Sequence, residues 1–270
     1  MSYTVTKSAG VIPQETRSLI SRRYKSITSA INRDFWSITS DTSNSFYVGS
    51  YGRNTAISTS DIDILTVLPN SDFDSYNNLK GNAQSRLLQA VRNAILSSYP
   101  RSDIRADGQV VKIAFSDGMY FEILPAFQNK DWFGNWSSTY TYPNSNMGGN
   151  WKSTNPKAEQ EAIAQKNRNS NGLLVDTCRH LRVVRDTCFK SYHLSGIVID
   201  TFVYDAIEGW HWLELGEEST PNIISYEQVL MNYFNDNLTY ISELRAPGSG
   251  DSVSLDKSKE CLGKVLRFIV

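Results

Sequence analysis

FYVGSYGRNTAISTSDIDIL, residues 46–65, combines two strand-like runs with the polar loop between them. The first run, Phe46-Tyr47-Val48, delivers Gly49-Ser50 at its end. There a backbone without a side chain can approach a phosphate, and a hydroxyl can bond it. The second, SDIDILTVLP (residues 60–69), alternates acidic and apolar residues. Side chains of a strand point alternately to its two faces, so Asp61 and Asp63 share one face while Ile62 and Ile64 turn into a core. Two neighbouring carboxylates repel one another, and a divalent cation such as Mg²⁺, with its preference for hard oxygen ligands, removes that penalty. A third acid, Glu122, interrupts the apolar strand MYFEILPAF (residues 119–127) and needs a partner there. Set beside Asp61 and Asp63, it would complete a site for two ions ~3.5–4 Å apart, the spacing that serves in-line displacement at phosphorus. An isolated Asp-x-Asp is common by chance, a lone strand Glu is more often salt-bridged, and Gly-Ser alone is a turn. Their joint order is far more specific, and it points to metal-dependent nucleotidyl transfer.

Outward from this stretch, residues 13–36 carry Leu19, Ile20, Ile27, Ile31 and Phe35 at three- and four-residue steps, predicting one long amphipathic helix. Residues 72–99 predict a second long helix, and 110–115 and 119–124 a hairpin about Ser116-Asp117-Gly118. Residues 127–155, rich in Asn, Ser, Gly, Trp and Tyr, read as an ordered long loop that Trp132, Trp136 and Trp151 pack, with stacking of one of them on a base as the other reading. Beyond it, 158–169, 173–187, 195–212 and 226–245 predict helices, with 255–270 as a further one. The expected division is a mixed α/β lobe over 1–155 and a helical lobe over 156–270.

Composition sets bounds on partners. The 270 residues hold 27 Lys+Arg against 28 Asp+Glu, which argues against a surface that coats duplex nucleic acid. The balance is uneven along the chain: residues 152–190 hold eight basic and four acidic residues, 200–245 one and nine. Three cysteines without CxxC spacing argue against a disulfide scaffold or zinc finger, and His180, His193 and His211 lack ligand spacing. With no signal-peptide pattern and no long apolar run, the expectation is a cytoplasmic protein without a membrane partner.

The pattern resembles the DNA polymerase β-like nucleotidyltransferases. Within that superfamily, GSYGRNTAISTSDIDIL and FEILPAF are similar to the bacterial relatives of cyclic GMP–AMP synthase and oligoadenylate synthase, the CD-NTases of anti-phage signalling. The stretch GGNWKSTNPKAEQEAI (residues 148–163) resembles the segment that links the family's two lobes, and the leading helix resembles its spine helix. The likeness spans residues ~13 to ~210. It implies an α+β fold, with a mixed sheet lobe, a spine helix and a C-terminal helical lobe, and an active site in the cleft between the lobes. It also implies two Mg²⁺ or Mn²⁺ ions on Asp61, Asp63 and Glu122, and NTP substrates (ATP, GTP or pyrimidine NTPs). The expected products are cyclic di- or trinucleotides and pyrophosphate, with the product, not this chain, engaging a downstream effector. In the helical lobe it assigns Arg185, with Arg182 as competitor, to the triphosphate, beside Ser191 and a base-stacking Tyr192; core packing is the other reading of Tyr192. Two departures stand out: Glu122 replaces the usual Asp, and an Arg stands where a Lys is usual. The alternatives are a linear oligonucleotide synthase, transfer to an RNA 3′ end, a small molecule or a protein, and a catalytically silent nucleotide sensor.

Overall fold

The computed structural model describes residues 4–214, 216 and 224–270. Part of the acidic stretch noted over 200–245 therefore lies outside the described residues. The chain divides into two compact units. One comprises Pro13–Gly52 and Asp61–Lys157; the other comprises Met1–Ile12, Arg53–Ser60 and Ala158–Val270.

The first unit is built on a seven-stranded mixed sheet. Its main path runs β1 (Ser45–Tyr47), β2 (Ile62–Val67), β5 (Tyr120–Lys130), β4 (Val110–Ala114) and β3 (Asp103–Asp107). Strand β2 runs parallel to β5, while β1–β2, β3–β4 and β4–β5 are antiparallel. Helices α1 (Gln14–Ile31) and α4 (Ala83–Leu96) pack on each other and on the sheet. Ile20, Ile27, Ile31, Leu87, Val91 and Ile95 are buried with Ile62, Ile64, Val111, Ile113, Phe121 and Ile123. Burial of those β residues sets the register, because a one-residue slip would turn every one of them to the other face.

Three expectations fail in this unit. The helix predicted over 72–99 is two helices, α3 (Asn70–Asn77) and α4. Gly81, at φ +83°, and Asn82 separate them, and the Asn82 side chain caps α4 by accepting from Ser85 N at 2.9 Å. Residues 127–155 are not a loop. β5 runs on to Lys130 and pairs with β6 (Trp136–Asn144), which pairs with β7 (Asn150–Thr154). These strands are half-exposed and rich in Ser, Thr and Tyr, so they lack the apolar alternation that marks a strand. Of the three tryptophans, Trp151 does pack, against Phe73 and Phe127 at ring-centroid distances of 5.1 and 5.8 Å. Trp132 and Trp136 are exposed, because the β5–β6 turn carries them outward. The long first helix also ends in a π-helical turn, Asn32–Trp36, closed by Ser37 in the left-handed region.

The second unit is mainly helical: α5 (Pro156–Asn169), α6 (Leu173–Cys188), α7 (Gly196–Ala206), α8 (Tyr226–Tyr233) and α9 (Lys259–Ile269). Leu174, Leu181, Val198, Phe202, Leu230 and Leu266 lie in its core. Helix α7 stops well short of residue 212. The helix predicted over 226–245 is also cut short: α8 passes through a π-helical turn, Phe234–Leu238, into β8 (Glu243–Arg245). There Leu244 gains burial by pairing with β9 (Ser252–Ser254). No helix among the described residues is long and apolar enough to cross a membrane.

Candidate active site

Strand β1 ends at Tyr47; the next residue, Val48, donates its N–H to the Asp63 carbonyl at 2.9 Å, and a single helical turn, α2 (Gly49–Gly52), follows. That bond lays the Gly-Ser turn over the start of β2. Gly49 adopts φ +57°, and a Cβ there would lie 1.9 Å from Asp63 Oδ2. Both the backbone conformation and the space require glycine. Gly49→Ala should therefore displace the Asp63 carboxylate and, on the reading of Asp63 as a metal ligand proposed below, cut activity at least ~100-fold, the cost of ångström-scale misplacement at a reacting centre. A steady-state rate within fivefold of wild type would refute this.

Asp63 and Glu122 stand opposite one another on the parallel strands β2 and β5, and Lys112 stands opposite Glu122 on β4. Both carboxylate-bearing residues are half-buried. Lys112 Nζ lies 3.1 Å from Glu122 Oε1 and 3.1 Å from Asp107 Oδ2. Asp61 immediately precedes β2 and is exposed as a residue. Even so, lost hydration of its carboxyl, and then the charge of Glu122, raise its pKa above the ordinary carboxylate value, against the pull of Lys112. Lost hydration is the larger cause, and the like charge of Glu122 on the neighbouring strand adds to it.

No group of three or more His, Cys, Asp or Glu side chains among the described residues is drawn together as an ion-holding cluster. The donor chemistry nevertheless suits a hard divalent cation: these are carboxylate oxygens at the ends and faces of adjacent strands, with one cation already bonded to Glu122.

The helical-unit candidates differ in surroundings. Arg182 is fully buried and pairs with Asp200 at 2.7 Å, donating also to the carbonyls of Cys178 and Gly196. Arg185 is half-buried and donates to Leu194 O at 2.9 Å and to Asp186. Ser191 is exposed. Tyr192 is exposed too, not packed in the core, and Lys264 Nζ sits 4.6 Å from its ring centroid. His180 is buried, and His193 and His211 are exposed.

Sequence reasoning overlooked a polar cluster around Asp200. This fully buried carboxylate accepts from Arg53 Nε at 2.9 Å and Thr55 Oγ1 at 2.8 Å as well as from Arg182, and Arg53 also pairs with Glu159 at 2.8 Å. A signal existed. Asp200 interrupts the apolar run GIVIDTFV just as Glu122 interrupts its strand.

A family model for the second messenger oligonucleotide or dinucleotide synthetase (SMODS) domain matches residues 6–167, more than half of the chain. The chain belongs to the SMODS family. It is thus a nucleotidyltransferase of the CD-NTase class. The match includes Gly49, Ser50, Asp61, Asp63 and Glu122 and ends before Arg182. Among solved structures, the SMODS chain is similar to the Elizabethkingia meningoseptica CdnE cyclic dinucleotide synthase, solved with GTP and Apcpp. The TM-score is 0.62 at 14% identity, over 93% of this chain and 89% of that one. The Rhodothermus marinus CdnE c-UMP-AMP synthase gives 0.62 at 15%, over 92% and 88%. The Vibrio cholerae DncV cyclic AMP-GMP synthase gives 0.57 at 14%, over 83% and 61%. At these identities the likeness shows the α+β nucleotidyltransferase fold. No curated protein matches the sequence at a significant level.

Proposed function

We propose that this SMODS enzyme joins nucleoside triphosphates into a cyclic di- or trinucleotide messenger that acts in bacterial defence against phage. The observation that carries the reading is the placement of Asp63 opposite Glu122, with Gly49 held against the Asp63 carboxylate. Asp61, Asp63 and Glu122 would hold divalent cations, Mg²⁺ or Mn²⁺. When bound, such ions lower the pKa of an attacking hydroxyl and neutralise charge on the phosphates. The acceptor 2′- or 3′-hydroxyl loses its proton to solvent and its oxygen forms a bond to the α-phosphorus of the donor, the bond from that phosphorus to the oxygen bridging to the β-phosphate breaks, and pyrophosphate leaves. A last transfer of the same kind, within the linear intermediate, closes the ring and releases a further pyrophosphate.

The backbone at Gly49 and the Ser50 hydroxyl serve the donor phosphates, a role that a glycine without a side chain and an adjacent hydroxyl suit. From the helical unit we enlist Arg185 and Ser191 for the triphosphate and Tyr192 for the base. Arg182, committed to Asp200, is left out. Positioning and electrostatics carry most of the barrier in such transfers, so no protein base is needed. CdnE and CdnC structures solved with GTP, Apcpp, Upnpp or ATP support nucleoside triphosphates as the substrate class.

The test is incubation with labelled NTPs and Mg²⁺ or Mn²⁺, followed by phosphatase. Short, phosphatase-resistant products are expected. Phosphatase-sensitive oligomers would mark a linear synthase. Label transferred only when RNA, protein or a small acceptor is supplied would replace cyclisation with transfer to that acceptor, and no turnover would point to a silent sensor.

A further inference from the structure

Lys112 lies in a row of charges that crosses four neighbouring strands. Arg105 on β3 stands opposite Lys112 on β4, Lys112 opposite Glu122 on β5, and Glu122 opposite Asp63 on β2. Opposed residues on one face of a sheet lie close enough for their charges to interact directly. The row thus sets two cations beside two anions.

Its members are not equivalent. Arg105 is largely exposed and pairs with Asp103 on its own strand at 2.8 Å. Lys112 instead reaches toward the acids, with its ammonium 3.1 Å from Glu122 Oε1, and Asp107 holds it from the other side at the same distance. An ammonium there offsets the repulsion between carboxylates on β2 and β5. It also occupies an oxygen of the residue that the proposed function gives to a divalent cation. The Lys112 side chain is 45% exposed, so the pair is a weak, solvent-screened one that a doubly charged ion can displace.

We propose that Lys112 is a positioning residue for the metal site: a built-in cation that holds Glu122 and competes with the divalent ion for it. The inference rests on the reading of Asp61, Asp63 and Glu122 as metal ligands. Glu122 would have to leave Lys112 to hold a divalent ion, and the ammonium would then keep Asp107 as its partner. A like charge beside the bound ion weakens the ion's hold, so removing that charge strengthens it.

The experiment is a calorimetric titration of the whole protein with Mn²⁺, with and without a non-hydrolysable nucleoside triphosphate. It compares wild type with Lys112→Met, Lys112→Arg and Glu122→Gln. Lys112→Met should bind Mn²⁺ at least ~5-fold more tightly than wild type, given the size of a unit-charge repulsion at a half-exposed site. Lys112→Arg keeps the charge and should stay within ~2-fold of wild type, a result that loss of packing alone would not produce. Equal or weaker binding by Lys112→Met, with Glu122→Gln binding more weakly than wild type, overturns the role of Lys112 and leaves the metal reading standing. If Glu122→Gln binds Mn²⁺ as wild type does, the metal reading itself falls and the inference falls with it.

Discussion

Asp63→Asn should lower the rate of nucleotide joining by about a thousandfold or more, the scale expected when charge stabilisation worth several kcal/mol is removed from a phosphoryl-transfer site. The substitution keeps size and shape, so the fit of Gly49 against this side chain survives; only the charge changes. Folding should not suffer. Asp63 stands opposite Glu122, and removing one of two opposed like charges relieves repulsion between β2 and β5. The expected pattern is therefore a severe loss of turnover with an unchanged or slightly raised melting temperature. Pyrophosphate release by Asp63→Asn and Asp61→Asn, measured beside their thermal unfolding, checks it. Turnover within tenfold of wild type in both variants would remove these residues from the chemistry.

The second large effect lies in the helical unit and concerns stability. Asp200 is buried among Arg53, Arg182 and Thr55, and Arg182 is buried as deeply. Asp200→Ala strands two guanidinium groups without their shared carboxylate. Removing one partner from a buried ion pair costs ~3–5 kcal/mol. For a chain of this size that lowers the melting temperature by about 10 °C.

The same cluster predicts a pH dependence. Burial pushes the Asp200 carboxyl upward, but the guanidinium groups of Arg182 and then Arg53 outweigh it and hold the pKa below the ordinary value. A carboxylate whose folded pKa is depressed adds stability that is fully present above its unfolded pKa of about 3.9. That stability is lost as the pH falls through the lower folded value. Wild type should lose stability from about pH 4 downward. Asp200→Asn, less stable at pH 7, should lack that component of the acid limb. Parallel acid titrations of the two proteins, followed by circular dichroism, would show whether the difference between them shrinks below pH 4, as it must.

Local patterns carried much of the α/β reading. The Asp-Ile-Asp-Ile alternation placed β2, and the turn at Ser116-Asp117-Gly118 divides β4 from β5. Those signals are strong because the buried residues are apolar and regularly spaced. Strands β6 and β7 were not legible, since polar β-forming residues on a half-exposed face leave no hydrophobic period. The break between α3 and α4 was missed because a Gly-Asn cap outweighed a continuous apolar spacing. Arg182 and Arg185 read alike in sequence as one basic helix face. Burial against α7, where Asp200 sits, separates them.

By itself the sequence offered a chemistry: a Gly-Ser turn, two acids one residue apart at the head of a strand and a third on a later hairpin. Tertiary structure alone decided who stands beside whom. Glu122 faces Asp63 because the parallel pairing of β2 with β5 buries Ile62, Ile64, Phe121 and Ile123 together. Lys112 joins them because β4 pairs on the other side of β5. Likewise Arg53, four residues beyond Gly49 in sequence, lies in the helical unit and spends its charge on Asp200 and Glu159. Register between distant strands is fixed by burying their apolar faces together, a collective energy that no local spacing encodes.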